Sequence, residues 1–192
     1  MTNLTNTTEQ ISANKNFDKG YKWLHWSMAV LVILMFFATF GFAGVQNVSE
    51  HKEMLVGHSS LGTLIALLII LRVQKRFIKK DPTPVQDIAR WQQLASKRVQ
   101  LALYFLMLFM PITGYLTANF HDLPVMVFGA FNLRQSAELG YDEEGFAMLR
   151  QIHELGSKLF MLLLVLHVGA AIYHRAVKKD GVLASMTKVK NI

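Results

Sequence analysis

The sequence predicts an all-α integral membrane protein: a four-helix bundle with both termini in the cytoplasm. Three observations carry that expectation. Hydrophobic residues make up 52% of the 192 residues and charged residues 17%, against about 25% charged in an ordinary soluble domain. Four apolar stretches have the length of about 20 residues that crosses about 30 Å of hydrocarbon. The basic residues gather on one side of the membrane those stretches define.

The first span runs from about Trp23 to Val45 and carries no charge from Ser27 onward. A polar segment over residues 1–20 precedes it. The apolar run is longer than the h-region of a signal peptide, so a retained signal-anchor helix is expected. The second span runs from about Leu55 to Val73, and a basic stretch containing Pro82 and Pro84 follows it. The third runs from about Val99 to Asn119 and contains Pro111 and Gly114. Proline inside a helix kinks it, which either widens the bundle for a cofactor or is incidental. A long outer loop, Phe120 to Gln151, comes next, with an amphipathic surface segment expected over Ser136 to Gln151. The fourth span runs from about Ile152 to Tyr173, and a basic tail fills 175–192. None of the four shows the single apolar stripe of a soluble surface helix. No repeat or linker divides the chain, so one domain over 1–192 is expected.

The formal net charge of +7 suggests nucleic acid until the charges are located. With four spans, the two termini and the middle loop share a side. Sixteen of the 20 basic residues fall there, for a net of +11, and the opposite side nets −5. Lysine and arginine mark the cytoplasmic side, and a basic surface there meets anionic lipid. The charge is a topology signal, and no nucleic-acid motif accompanies it.

Ionisable groups inside spans are costly and point to function. Of seven histidines, His25 opens the first span, His58 the second and His153 the fourth, while His167 lies in the apolar run LLLVLHVGAA. His153 and His167 are 14 residues apart, which is about 21 Å along a helix and within roughly 40° of the same face. Helix direction then sets depth. His58 and His153 lie near the outer leaflet; His25 and His167 lie near the inner one. Two histidine pairs at two depths suit two bis-histidine haems in a bundle core. The chain has no cysteine, which excludes disulfides, Cys-based zinc or iron–sulfur sites and covalent haem. The haems are therefore expected to be b-type, bound without a covalent link.

Other residues keep two readings. Gly57, Gly62, Gly156 and Gly169 either let helices approach or make room for a macrocycle. Arg72, 14 residues after His58, either pairs with a haem propionate or snorkels to the inner interface. His51 and His121 read as ordinary loop or interface residues. A haem-free transporter would need polar residues clustered at the midplane, and a purely structural bundle would make the level histidines a coincidence.

These residues resemble the bacterial cytochrome b561 family over about residues 20 to 180. LHW at His25, GHSSLG at His58, Arg72, YFLMLFMPITGYL and IHELGSKLFMLLLVLHVGAAIYH carry the resemblance. It implies a multi-pass protein of the bacterial inner membrane with His25, His58, His153 and His167 as ligands to two b haems. It also implies electron exchange with ubiquinone and, in some relatives, oxidation of superoxide at the outer face. Electrons would enter at the outer haem and leave at the inner one, with His174 and Arg72 beside the quinone. The other reading consistent with the resemblance is a cytochrome b subunit relaying electrons for a larger hydrogenase or dehydrogenase partner. Two features depart from the pattern. Lys97 and Gln100 stand where relatives often have histidine, and the outer side nets −5, whereas a basic surface steers an anion such as superoxide. Lys52, Arg134, Arg150 and Lys158 are the residues available for a local basic patch.

Overall fold

A computed structural model describes residues 17–45, 47–78, 88–121, 125–133 and 142–187. Four long helices dominate it: α1 (Lys19–Gly41), α2 (Val48–Ile78), α3 (Arg90–Phe120) and α4 (Glu143–Tyr173). All four are long and apolar enough to cross a membrane. The last three have 31 residues each, about 46 Å at helical rise, so they outrun about 30 Å of hydrocarbon at one or both ends. This is why each is longer than the apolar stretch in its sequence.

Side-chain exposure follows the same logic. Phe37 is 69% exposed, Leu162 56% and Val165 60%. In water such a belt would drive association; in a bilayer it faces lipid. The buried core is correspondingly thin. Val32, Ile65, Leu106 and Phe160, one residue from each helix, form its centre. Met35, Phe36, Leu103 and Met110 pack around them.

α1 packs along α2, α2 along α3, and α3 along α4. α4 reaches α1 and α2 through side chains: Phe36 with Phe160, His25 with His167, and His58 with His153. α3 runs unbroken through Pro111. At the basic end, Lys75 on α2 forms a 2.8 Å ion pair with Asp18 at the start of α1. At the acidic end, α1 closes in a 3₁₀ turn, Phe42–Gly44.

The long loop adds a small non-helical element to the all-α bundle. It contains a two-stranded antiparallel hairpin, β1 (Met126–Val127) with β2 (Phe131–Asn132). Phe128 and Gly129 at its tip have φ of 51° and 69°, the left-handed pair that matches hairpin twist and that glycine adopts without strain. The loop ends meet where Asp142 N–H donates to Phe120 O at 3.2 Å. Asp142 then caps α4 by accepting from Gly145 N–H at 3.2 Å, and Glu143 and Glu144 in the first turn suit the helix dipole. From Glu143 onward the expected surface segment is the start of α4 itself; residues 136–141 lie outside the described residues.

The polar N-terminal segment up to residue 16, the proline-containing stretch 79–87 and residues 188–192 of the tail also lie outside them. The rest of the tail is ordered by local bonds. A π-helical turn, His174–Lys178, ends at left-handed Lys179, and a short helix α5 (Val182–Thr187) follows. Met186 O accepts from Trp26 Nε1 at 3.2 Å, which ties α5 back to α1.

Candidate functional site

Position on the helices sets the site. Val32 lies seven residues after His25, and Ile65 seven after His58. Phe160 lies seven residues from both His153 and His167. Seven residues are about two turns, so each core residue shares a face with its histidine. The result is a layered interior: one histidine pair at the acidic end, an apolar layer, and a second pair at the basic end.

The four histidines meet as two pairs. His25 and His167 have ring centroids 6.2 Å apart with planes at 69°. His58 and His153 are 6.1 Å apart with planes at 66°. Two imidazoles bound to opposite sides of one metal ion, each by a bond of about 2 Å with the ring centre roughly 1 Å further back, have centroids roughly 6 Å apart. Both separations fit one iron per pair. His58 Nδ1 is buried and has no hydrogen-bond partner among the described residues.

Each pair has its own supports. The Thr113 hydroxyl is 3.0 Å from His153 Nδ1. Its own proton has the carbonyls of Phe109 and Met110 as acceptors, both at 3.1 Å, so the oxygen can accept from Nδ1–H, the tautomer that leaves Nε2 with a free lone pair. This is how a neutral ligand histidine is oriented toward a metal. Gly114 lies beside the same ring, where a Cβ would stand 3.1 Å from His153 Cε1. The glycine serves His153, a role that its place beside Pro111 did not suggest.

At the basic end, Arg72 is 8% exposed and within electrostatic reach of both His25 and His167. Its Nε donates to Tyr104 Oη at 2.9 Å, and its guanidinium lies 4.6 Å over the Tyr21 ring. The two phenol oxygens are 2.8 Å apart. Arg72 is thus held inside the bundle by two tyrosines, which distinguishes it from a side chain extended to the lipid interface.

The glycines divide. A Cβ on Gly156 would meet Met110 Sδ at 2.9 Å, so this glycine lets α3 and α4 approach. Gly57 and Gly169 face open space within 4 Å, and Gly62 meets only the Met35 methyl, at 3.7 Å. His51 packs on Phe42, whose ring also lies 5.9 Å from that of His58, and His121 packs on Phe146. His174 pairs with Asp180, with Nδ1 2.5 Å from Oδ2. Of the residues named for a local basic patch, Arg150 is held by Glu154 at 2.9 Å, and Arg134 lies outside the described residues. Gln100 bonds Ser96 on its own helix at 3.1 Å.

Thr113, Tyr21, Tyr104 and Asp180 were not singled out by sequence, and Gly114 was read only together with Pro111. The available signal was a hydroxyl inside an apolar span, since such a group needs a partner.

A membrane four-helix bundle with two histidine pairs on either side of an apolar layer defines a class: membrane electron-transfer proteins that hold haem b. Residues 16–188 match the family model described as prokaryotic cytochrome b561, and the chain belongs to that family. It is similar to "Cytochrome b561 homolog 2" of Escherichia coli (strain K12), 28% identical over 164 residues, covering 84% of this chain and 86% of that protein. It is also similar to "Cytochrome b561 homolog 1" of the same organism, 26% identical over 172 residues, covering 88% and 96%. Membership makes the chain a bacterial membrane protein that carries electrons through b-type haem.

Proposed function

We propose that the chain binds two b haems, one between His25 and His167 and one between His58 and His153, and passes single electrons from an outer donor to quinone. In this reading both termini lie in the cytoplasm and the bilayer is the bacterial inner membrane, supported by the charge of +11 against −5. The observation that carries it is the matched pair of centroid separations, 6.2 and 6.1 Å, on one face of α4.

The haems supply the one-electron redox chemistry. The chain supplies the rest. Four imidazoles hold the cofactors at two depths. Thr113 fixes the protonated nitrogen of His153, and the layer around Phe160 and Phe36 keeps water out between the pairs. Arg72, braced by Tyr21 and Tyr104, supplies a cation for an anionic propionate of the inner haem or for the quinone beside it. His174, at the same end, faces ubiquinone. In its most concrete form the reaction is superoxide oxidation at the outer face with ubiquinone reduction at the inner. The family relation supports the quinone half most directly. The superoxide half has weaker electrostatic support, because Arg150 is already paired with Glu154.

The test is haem quantification on purified protein with reduced-minus-oxidised spectra. Two b haems per chain are expected, and one or none overturns the reading. Superoxide and a water-soluble ubiquinone are then added to the isolated protein. Quinol formation establishes a self-contained oxidoreductase. No turnover, together with a stably co-purifying hydrogenase or dehydrogenase, establishes the relay-subunit role instead.

A further inference from the structure

The His174–Asp180 pair is a partly buried contact between ionisable side chains, apart from the four histidines of the two pairs. The two residues are joined twice. Asp180 Oδ2 lies 2.5 Å from His174 Nδ1, and Asp180 N–H donates to His174 O at 3.3 Å. Asp180 Oδ1 accepts from Val182 N–H at 3.1 Å, so both carboxylate oxygens have fixed directions. The His174 and Asp180 side chains are only 14% and 16% exposed. The connection depends on the π-helical turn and on Lys179 at φ 51°, a local distortion common at functional sites. With a carboxylate facing Nδ1, that nitrogen carries the proton and Nε2 is left for another partner. A histidine oriented by a buried carboxylate in this way is arranged for proton transfer.

We propose that Asp180 is a positioning residue that aims His174 Nε2 at a quinone-class acceptor, making the pair the proton donor for its reduction. The inference rests on the quinone reading above. Reduction of a quinone to a quinol takes two electrons and two protons. The electrons arrive singly from the outer donor through the chain. One proton moves from Nε2–H of protonated His174 to a quinone oxygen, and Nε2 is reprotonated from the adjoining aqueous phase. The second proton comes from the same phase, directly or by a second cycle of the pair.

The experiment uses the intact haem-loaded protein, pre-reduced with dithionite and mixed with decylubiquinone in a stopped-flow spectrometer. Asp180→Asn presents an amide N–H to Nδ1 and is expected to slow reoxidation by about a hundredfold, the lower part of what general acid–base catalysis contributes. Asp180→Glu is expected to recover most of that loss. Reoxidation by ferricyanide, which takes an electron without a proton, should keep its wild-type rate in both variants. Nitrogen-15 spectra of labelled histidine should show His174 protonated at Nδ1 in the wild type and shifted toward Nε2 in Asp180→Asn. A wild-type rate with quinone in Asp180→Asn overturns the proposal while leaving the quinone reading intact. So does equal slowing with quinone and ferricyanide, which marks a structural effect. Failure of wild-type protein to be reoxidised by quinone at all overturns both.

Discussion

The Thr113 hydroxyl on α3 sits 3.0 Å from Nδ1 of His153 on α4, so a polar group of one helix holds the histidine of the next. With the hydroxyl proton directed to a carbonyl of its own helix, the histidine is the donor. A hydrogen bond of this kind raises the basicity of the metal-binding nitrogen. Thr113→Val keeps the volume and removes the acceptor. The expected result is a higher midpoint potential for one of two haems and a roughly 10- to 100-fold loss of affinity for it. Redox titration resolves the two components, and movement of neither counts against the assignment.

The two pairs should also fail independently. His25 and His167 are separated from His58 and His153 by the Val32, Ile65, Leu106 and Phe160 layer. His167→Ala is expected to lower haem content from two per chain to one. His153→Ala should do the same while leaving a spectrally different survivor. Equal loss of both haems in either variant would contradict the pairing by depth.

Gly114 provides a steric test of the same end. A methyl group there would stand 3.1 Å from the His153 ring, inside ordinary contact distance. The ring belongs to a buried pair and has Thr113 behind it. Gly114→Ala should therefore cost about 1–3 kcal/mol, as overpacking does, and rotate the imidazole. Electron paramagnetic resonance of the ferric protein reads that rotation as a shift in the g values of one low-spin species.

How much of this was legible beforehand follows from the kind of information involved. The histidine pairing rests on spacing along single helices and on the direction of each helix, and sequence carries both. His153, Phe160 and His167 at intervals of seven stay on one face whatever surrounds them. Thr113 and Gly114 matter through the register of α3 against α4, which no single-helix pattern sets. Asp180 meets His174 only because a π-turn and a left-handed lysine bend the chain back. The hairpin escaped for a different reason: its strands have two residues each, too short for alternation to register. Its hold on α2 comes from Ser59 and Ser60, read at first only as part of a motif. Ser59 Oγ donates to Met126 O at 2.7 Å, and Ser60 Oγ accepts from Phe128 N–H at 2.7 Å.

The tyrosine pair at the basic end yields the last prediction. Tyr104 Oη is bonded to both Arg72 Nε, at 2.9 Å, and Tyr21 Oη, at 2.8 Å. The Arg72 guanidinium carries N–H donors and no acceptor, so its N–H groups need partners. Tyr104→Phe leaves a buried guanidinium short of one acceptor and the Tyr21 hydroxyl short of its partner. The expected cost is about 1–3 kcal/mol, seen as a lower Tm in detergent. Tyr21→Phe removes the hydroxyl contact but keeps the ring beneath Arg72, so it should cost less. The double variant should fall short of the sum of the two losses, since both remove the same phenol–phenol bond. Strict additivity would mean that the two hydroxyls act separately.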